Sequence, residues 1–151
     1  LEVPEKPSVK GSFAHVTACD PVVIRGDLAF VTLKGGTTCR GTVNQLDVIR
    51  MSDSYSKFTL LKSYPMFGPQ GLGIDDDLLF ICDGDAGLKI YNAADPLAIN
   101  QIAIFPSINA YDVIPLNNYL FMIGDKGFML YDYSNIQNIK QIGFIPVVKK
   151  A

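Results

Sequence analysis

Runs of apolar residues alternate with short polar turns along almost the whole chain, and that alternation is itself repeated. Leu78 to Tyr91 reads L-L-F-I-C-D-G-D-A-G-L-K-I-Y: an apolar run, a turn rich in Asp and Gly, and a second apolar run. Such a pattern predicts a β-hairpin. Tyr119 to Tyr131, Y-L-F-M-I-G-D-K-G-F-M-L-Y, repeats it, and Leu28 to Ile49 carries the same two runs around a longer insert. Phe30, Phe80 and Phe121 in the first runs lie 50 and 41 residues apart, and Leu46, Leu88 and Phe128 in the second runs lie 42 and 40 apart. The repeat is thus close to 41 residues, stretched once by the insert at 34–45.

Each repeat resolves into four short strands. The first is expected over Val22 to Ile24, Leu72 to Ile74 and Asp112 to Ile114, each followed by a polar turn (25–27, 75–77 and 115–118). The second is expected over Leu28 to Thr32, Leu78 to Cys82 and Tyr119 to Ile123, and the third over Leu46 to Arg50, Leu88 to Asn92 and Phe128 to Asp132. The fourth is expected over Phe58 to Tyr64, Ile99 to Phe105 and Ile139 to Ile145. No ten-residue helical pattern interrupts them, so the fold class is all-β. Four strands in about forty residues, repeated in tandem, is the signature of a β-propeller blade. Second and third strands that are apolar at nearly every position suit strands covered on both faces, and the mixed fourth strands suit an outer edge. The expected division is 1–11 as linker or edge strand of a preceding blade, a blade over 12–65 carrying the insert, a blade over 66–106, and a blade plus tail over 107–151. Lys10 to Ala14 matches Leu61 to Pro65, the end of a fourth strand.

Composition narrows the function classes. The chain has 151 residues, 48% hydrophobic and 19% charged, with a net charge of −2. Its basic residues form no stripe that could neutralise a phosphate backbone, so no nucleic-acid partner is expected. No apolar run is long enough for a transmembrane helix. There is no signal peptide, and a start at Leu1 reads as a mature or trimmed chain. Cys19, Cys39 and Cys82 form no C-x-x-C pair, which argues against a thiolate metal site and leaves one disulfide plus one buried thiol open.

The third strands L-D-V-I-R (46–50), L-K-I-Y-N (88–92) and F-M-L-Y-D (128–132), with Asp95-Pro96 after and G-L-G-I-D-D-D-L-L-F-I-C-D before, resemble the LVIVD-repeat family. The resemblance spans Cys19 to about Pro146, although no repeat carries the pentapeptide verbatim. It implies β-propeller repeats of bacterial extracytoplasmic proteins, located in the periplasm or at the cell surface. The motif is structural and names no chemistry. Closed propellers typically have four to eight blades. Three blades therefore imply part of a six- to eight-bladed ring, or a ring completed by a second chain. In the exported setting that the resemblance implies, a Cys19–Cys39 bridge is expected. Both cysteines fall in loops on one face of the same blade, and closing that twenty-residue loop is worth about 3 kcal/mol by chain entropy. Cys82, in an apolar strand, reads as a small core residue.

Candidate chemistry is sparse. Asp83-Gly84-Asp85 lacks the EF-hand ligand spacing, and what recurs is a D-x-G turn at 85–87 and 125–127 in which Gly supplies positive φ. Asp75-Asp76-Asp77 reads as a tight turn in the same way. His15 is the sole histidine and reads as a solvated or capping residue, so a Ser-His-Asp or Cys-His arrangement finds little support. No metal, cofactor or catalytic residue is expected. A loop face shared by Arg40, Asn44, Phe67, Gln70, Asp83, Asn109 and Tyr111 is the strongest binding candidate, because exposed aromatics beside polar groups suit a ligand or partner. The expected function is a non-catalytic binding or protein-interaction module. The alternatives are a propeller-fold hydrolase or lyase whose site is completed by missing blades, and a structural cell-surface protein that self-associates along 139–145.

Overall fold

A computed structural model describes residues 4–13, 21–36 and 41–148. Twelve strands and, among the described residues, no helix make up the fold. They are β1 (Val22–Arg25), β2 (Leu28–Leu33), β3 (Gln45–Met51), β4 (Phe58–Pro65), β5 (Leu72–Asp75), β6 (Leu78–Cys82), β7 (Leu88–Asn92), β8 (Asn100–Phe105), β9 (Ala110–Leu116), β10 (Tyr119–Gly124), β11 (Gly127–Asp132) and β12 (Lys140–Pro146). Consecutive strands pair antiparallel into three separate four-stranded meanders, β1–β4, β5–β8 and β9–β12. No strand is shared between sheets.

The repeat holds at the level of register. In every sheet the pairing of third with fourth strand slips at the same place: Val48/Ile49, Ile90/Tyr91 and Leu130/Tyr131. After every second strand but the first, the D-x-G turn closes the hairpin. Gly87 sits at φ +93° and Gly127 at +139°, and a Cβ on either would lie 2.1 Å from the carbonyl oxygen of Phe105 or Ile145. Only glycine fits there without the fourth strand moving. Asx turns recur as well: Asn92 and Asp132 accept from the amides of Ala94 and Ser134, and Asp95 and Asn135 from those of Leu97 and Gln137. The hydrogen bonds from Ser134 hold the Asp132 carboxyl below its ordinary value.

Strand bounds follow the sequence pattern to within one residue, except at β9, which runs two residues further at each end. Pro115, expected in a turn, lies inside β9 opposite Leu120, and the turn shrinks to Asn117-Asn118 with φ of +51° and +65°. Both residues in the left-handed region make a primed hairpin turn. β9 tolerates Pro because it is an edge strand with one side unpaired.

The sheets stack through their faces, with inner strand β1 against β5 and β5 against β9. Leu28, Phe30, Leu46 and Val48 of the first sheet meet Leu72, Leu79 and Ile81 of the second. Phe80, Cys82, Leu88 and Ile90 of the second meet Val113, Leu120, Met122, Met129 and Tyr131 of the third. Polar ties reinforce the stack. Arg25 donates to Asp77 Oδ1 (2.8 Å) and to the Ala93 carbonyl (2.7 Å), Thr32 Oγ1 to the Gln70 carbonyl (2.6 Å), and Tyr133 Oη to Asp75 Oδ2 (2.6 Å). β2 is consequently buried at every residue, whereas β10 is fully buried only at alternate residues, Leu120, Met122 and Gly124. The third sheet therefore departs from the expectation that second strands are covered on both faces.

Residues 10–13, expected as the tail of a preceding fourth strand, form no strand. Phe13 packs on Phe58, ring centroids 6.3 Å apart, over Ala29, Val31, Leu33, Ile49 and Met51. That cluster lies on the face of the first sheet turned away from the second.

Candidate functional site

The meander topology sends the loops between second and third strands, and the loops from a fourth strand to the next first strand, to the same end of the stack. There they enclose an open cavity of about 260 Å³ lined by Lys34, Phe67, Gly68, Gln70, Gly84, Asp85, Asn109 and Tyr111. Lys34 comes from the first sheet's insert, Phe67 to Gln70 from the first connection, Gly84 and Asp85 from the D-x-G hairpin, and Asn109 and Tyr111 from the second connection. Four of the seven candidate residues, Phe67, Gln70, Asn109 and Tyr111, line this one cleft.

Asp83 stands behind the cleft wall. It is fully buried, and its carboxylate accepts from the amides of Phe67 (3.0 Å) and Gly68 (2.8 Å) while pairing with the Lys89 ammonium. A buried charge is tolerable only when so partnered. Asn44 holds the same loop from the other side. Its Nδ2 donates to the Phe67 carbonyl (2.7 Å) and its Oδ1 accepts from the Gly35 amide (2.8 Å). Both residues position the cleft-lining loop. Arg40, Cys19, Cys39 and His15 lie outside the described residues.

The cleft floor is tied to the third sheet. Gln70 Nε2 donates to the Ala110 carbonyl (3.1 Å), and the Gly71 amide donates to the Tyr111 carbonyl (2.9 Å). Asn109 Oδ1 is buried with no protein partner. Such an acceptor carries a desolvation cost of roughly 1–3 kcal/mol until something donates to it. The aromatic side chains are open: Phe67 is 64% exposed and Tyr111 42%. The arrangement offers flat apolar surface flanked by amides, one ammonium and one carboxylate. It can hold a small ligand.

Elsewhere the titratable groups serve the core. Burial raises the Cys82 thiol, with Asp112 adding to the effect, so the thiol is inert. Burial, then the charge of Asp83, pushes the Tyr91 hydroxyl up to about 12. No group of three or more His, Cys, Asp or Glu placed to hold a metal occurs among the described residues. Neither is any helix among them long and apolar enough to cross a membrane.

Lys34 and Gly68 belong to the 34–45 and 66–70 loops expected on this face, whereas Gly84 and Asp85 are cleft residues that the sequence did not single out. Asp85 read as turn scaffold, and the turn also sets it at the rim. Lys89 signalled itself as a lone cation inside an apolar strand, the pattern of a side chain with a buried partner.

Fold and cleft together define a tandem array of antiparallel four-stranded sheets with a loop-built recess at one end. The sequence matches no protein-family model and no curated protein.

Proposed function

We propose that the chain is a β-propeller segment acting as a non-catalytic binding module. Its ligand sits in the cleft between Phe67 and Tyr111. Three like sheets stacked through their inner strands favour the propeller reading, and with it the extracytoplasmic location that the LVIVD resemblance implies. The observation that carries the binding reading is the cleft itself, where two open aromatic rings converge with the amides of Gln70 and Asn109. That chemistry suits a small neutral ligand with a flat apolar face and hydroxyl edges, such as a sugar ring.

Saturation-transfer NMR with a mixture of neutral mono- and disaccharides tests this reading. Wild type should transfer saturation to at least one sugar, and the Phe67→Ala/Tyr111→Ala variant should lose the transfer while keeping its fold. Transfer that survives in that variant, or none in wild type, overturns the reading.

A further inference from the structure

The three sheets are register copies, so each residue on one has counterparts on the others. Phe30, Leu46 and Val48 on the first sheet correspond to Phe80, Leu88 and Ile90 on the second. All six are completely buried, because each set faces the sheet that follows. The third copy of this face carries Phe121, Phe128 and Leu130, flanked by Ile114 and Ile123, and among the described residues no further sheet packs on it. Ile114 is 61% exposed and Ile123 46%, while Cys82, the counterpart of Ile123, is fully buried; Phe121, Phe128 and Leu130 are half-buried. Phe121 and Phe128 lie with ring centroids 6.1 Å apart beside a shallow groove also lined by Ile114 and Ile123.

We propose that this face docks on a second copy of the chain, third sheet against third sheet about a two-fold axis. The surface continues the interface that the chain forms twice internally, so its side chains are of the kind that pack sheet on sheet about 10 Å apart. Head-to-tail docking would need the opposite face of the first sheet. That face is closed over its central strands, where Phe13 and Phe58 cover Ala29, Val31 and Leu33; Val22 and Ile24 on β1 and Leu60 on β4 are the apolar side chains open at its edges. Like therefore meets like, and a two-fold contact stops at the dimer.

Four strands about 4.8 Å apart and six residues long give a footprint of roughly 400 Å² per copy. That lies within the range of the largest apolar patch on a typical monomer and is half the standard contribution to a stable complex. A reversible dimer with micromolar affinity is the matching strength.

Sedimentation velocity of the full chain from about 1 to 200 μM, the span that brackets micromolar affinity, reads the result. The sedimentation coefficient should rise from the monomer to the dimer value and no further. Ile123→Asp and, separately, Ile114→Asp should weaken association at least tenfold. Circular dichroism of each variant should match wild type, since both positions are exposed. A monomer throughout the range, growth beyond dimer, or loss of association through Val22→Ser/Ile24→Ser but not through the Asp variants overturns the proposal.

Discussion

Replacing Asp83 by Ala tests whether a buried charge holds the cleft in shape. The substitution removes the acceptor of the Phe67 and Gly68 amides and the counter-charge of Lys89 at one stroke. Breaking one side of a buried pair costs about 3–5 kcal/mol, and hydrogen bonds to a charged acceptor are worth about 1.5–3 kcal/mol each. These overlap and do not add. The Lys89 side chain is 16% exposed and can turn its ammonium toward water, so the expected loss sits at the low end, about 3 kcal/mol. For a chain of this length that is roughly 6–12 °C in melting temperature. Urea denaturation of wild type, Asp83→Ala, Lys89→Met and the double variant measures it. The double variant should recover about 1–3 kcal/mol of the loss, because no unpaired ammonium remains. A loss below about 1 kcal/mol for Asp83→Ala, or strict additivity of the two single changes, would refute the clamp.

Gly127→Ala should destabilise by about 1–3 kcal/mol from backbone strain, with a further cost from the clash at the Ile145 carbonyl. Gly26→Ala, with open space around its Cβ position, should cost less; equal losses would contradict the packing argument. At alkaline pH, Tyr91, Tyr131 and Tyr133 act together. Burial raises all three, and for Tyr133 the hydrogen bond to Asp75 adds to it. A raised folded value means the contribution is complete below the unfolded value of about 10 and is lost as pH climbs through the folded value, about 12 for Tyr91. Phenolate absorbance should therefore rise in step with loss of the β-sheet signal in that window. Free titration of all seven tyrosines near pH 10 with the sheet signal intact would contradict it.

The strands were legible because their bounds are set by local chemistry. Leu78–Cys82 and Leu88–Asn92 are closed by a D-x-G turn whose glycine admits nothing else, and both match the sequence pattern to the residue. Pro115 misled because proline ordinarily ends a strand, and the sequence does not say which strands are edges. The open face of β10 was invisible for a different reason. An apolar run reports that a face could be buried, and Phe121 looks no different in sequence from Phe30 or Phe80. At the cleft, Phe67, Gln70, Asn109 and Tyr111 could be grouped from topology alone. The inward turn of Asp83 could not, since its amide partners lie fifteen and sixteen residues earlier in the chain.

Within each sheet every strand pairs with its neighbours in sequence, so the backbone closures that build each sheet are local. Short closures fold fast, and chains fold from the N-terminus as they are made. A ribosome producing this protein would release one finished meander about every forty residues, each arriving beside a face already waiting for it. At every stage the newest sheet holds its Phe, Leu and Val row in water until the following one emerges. The half-buried row at Phe121, Phe128 and Leu130 is the third copy of that face.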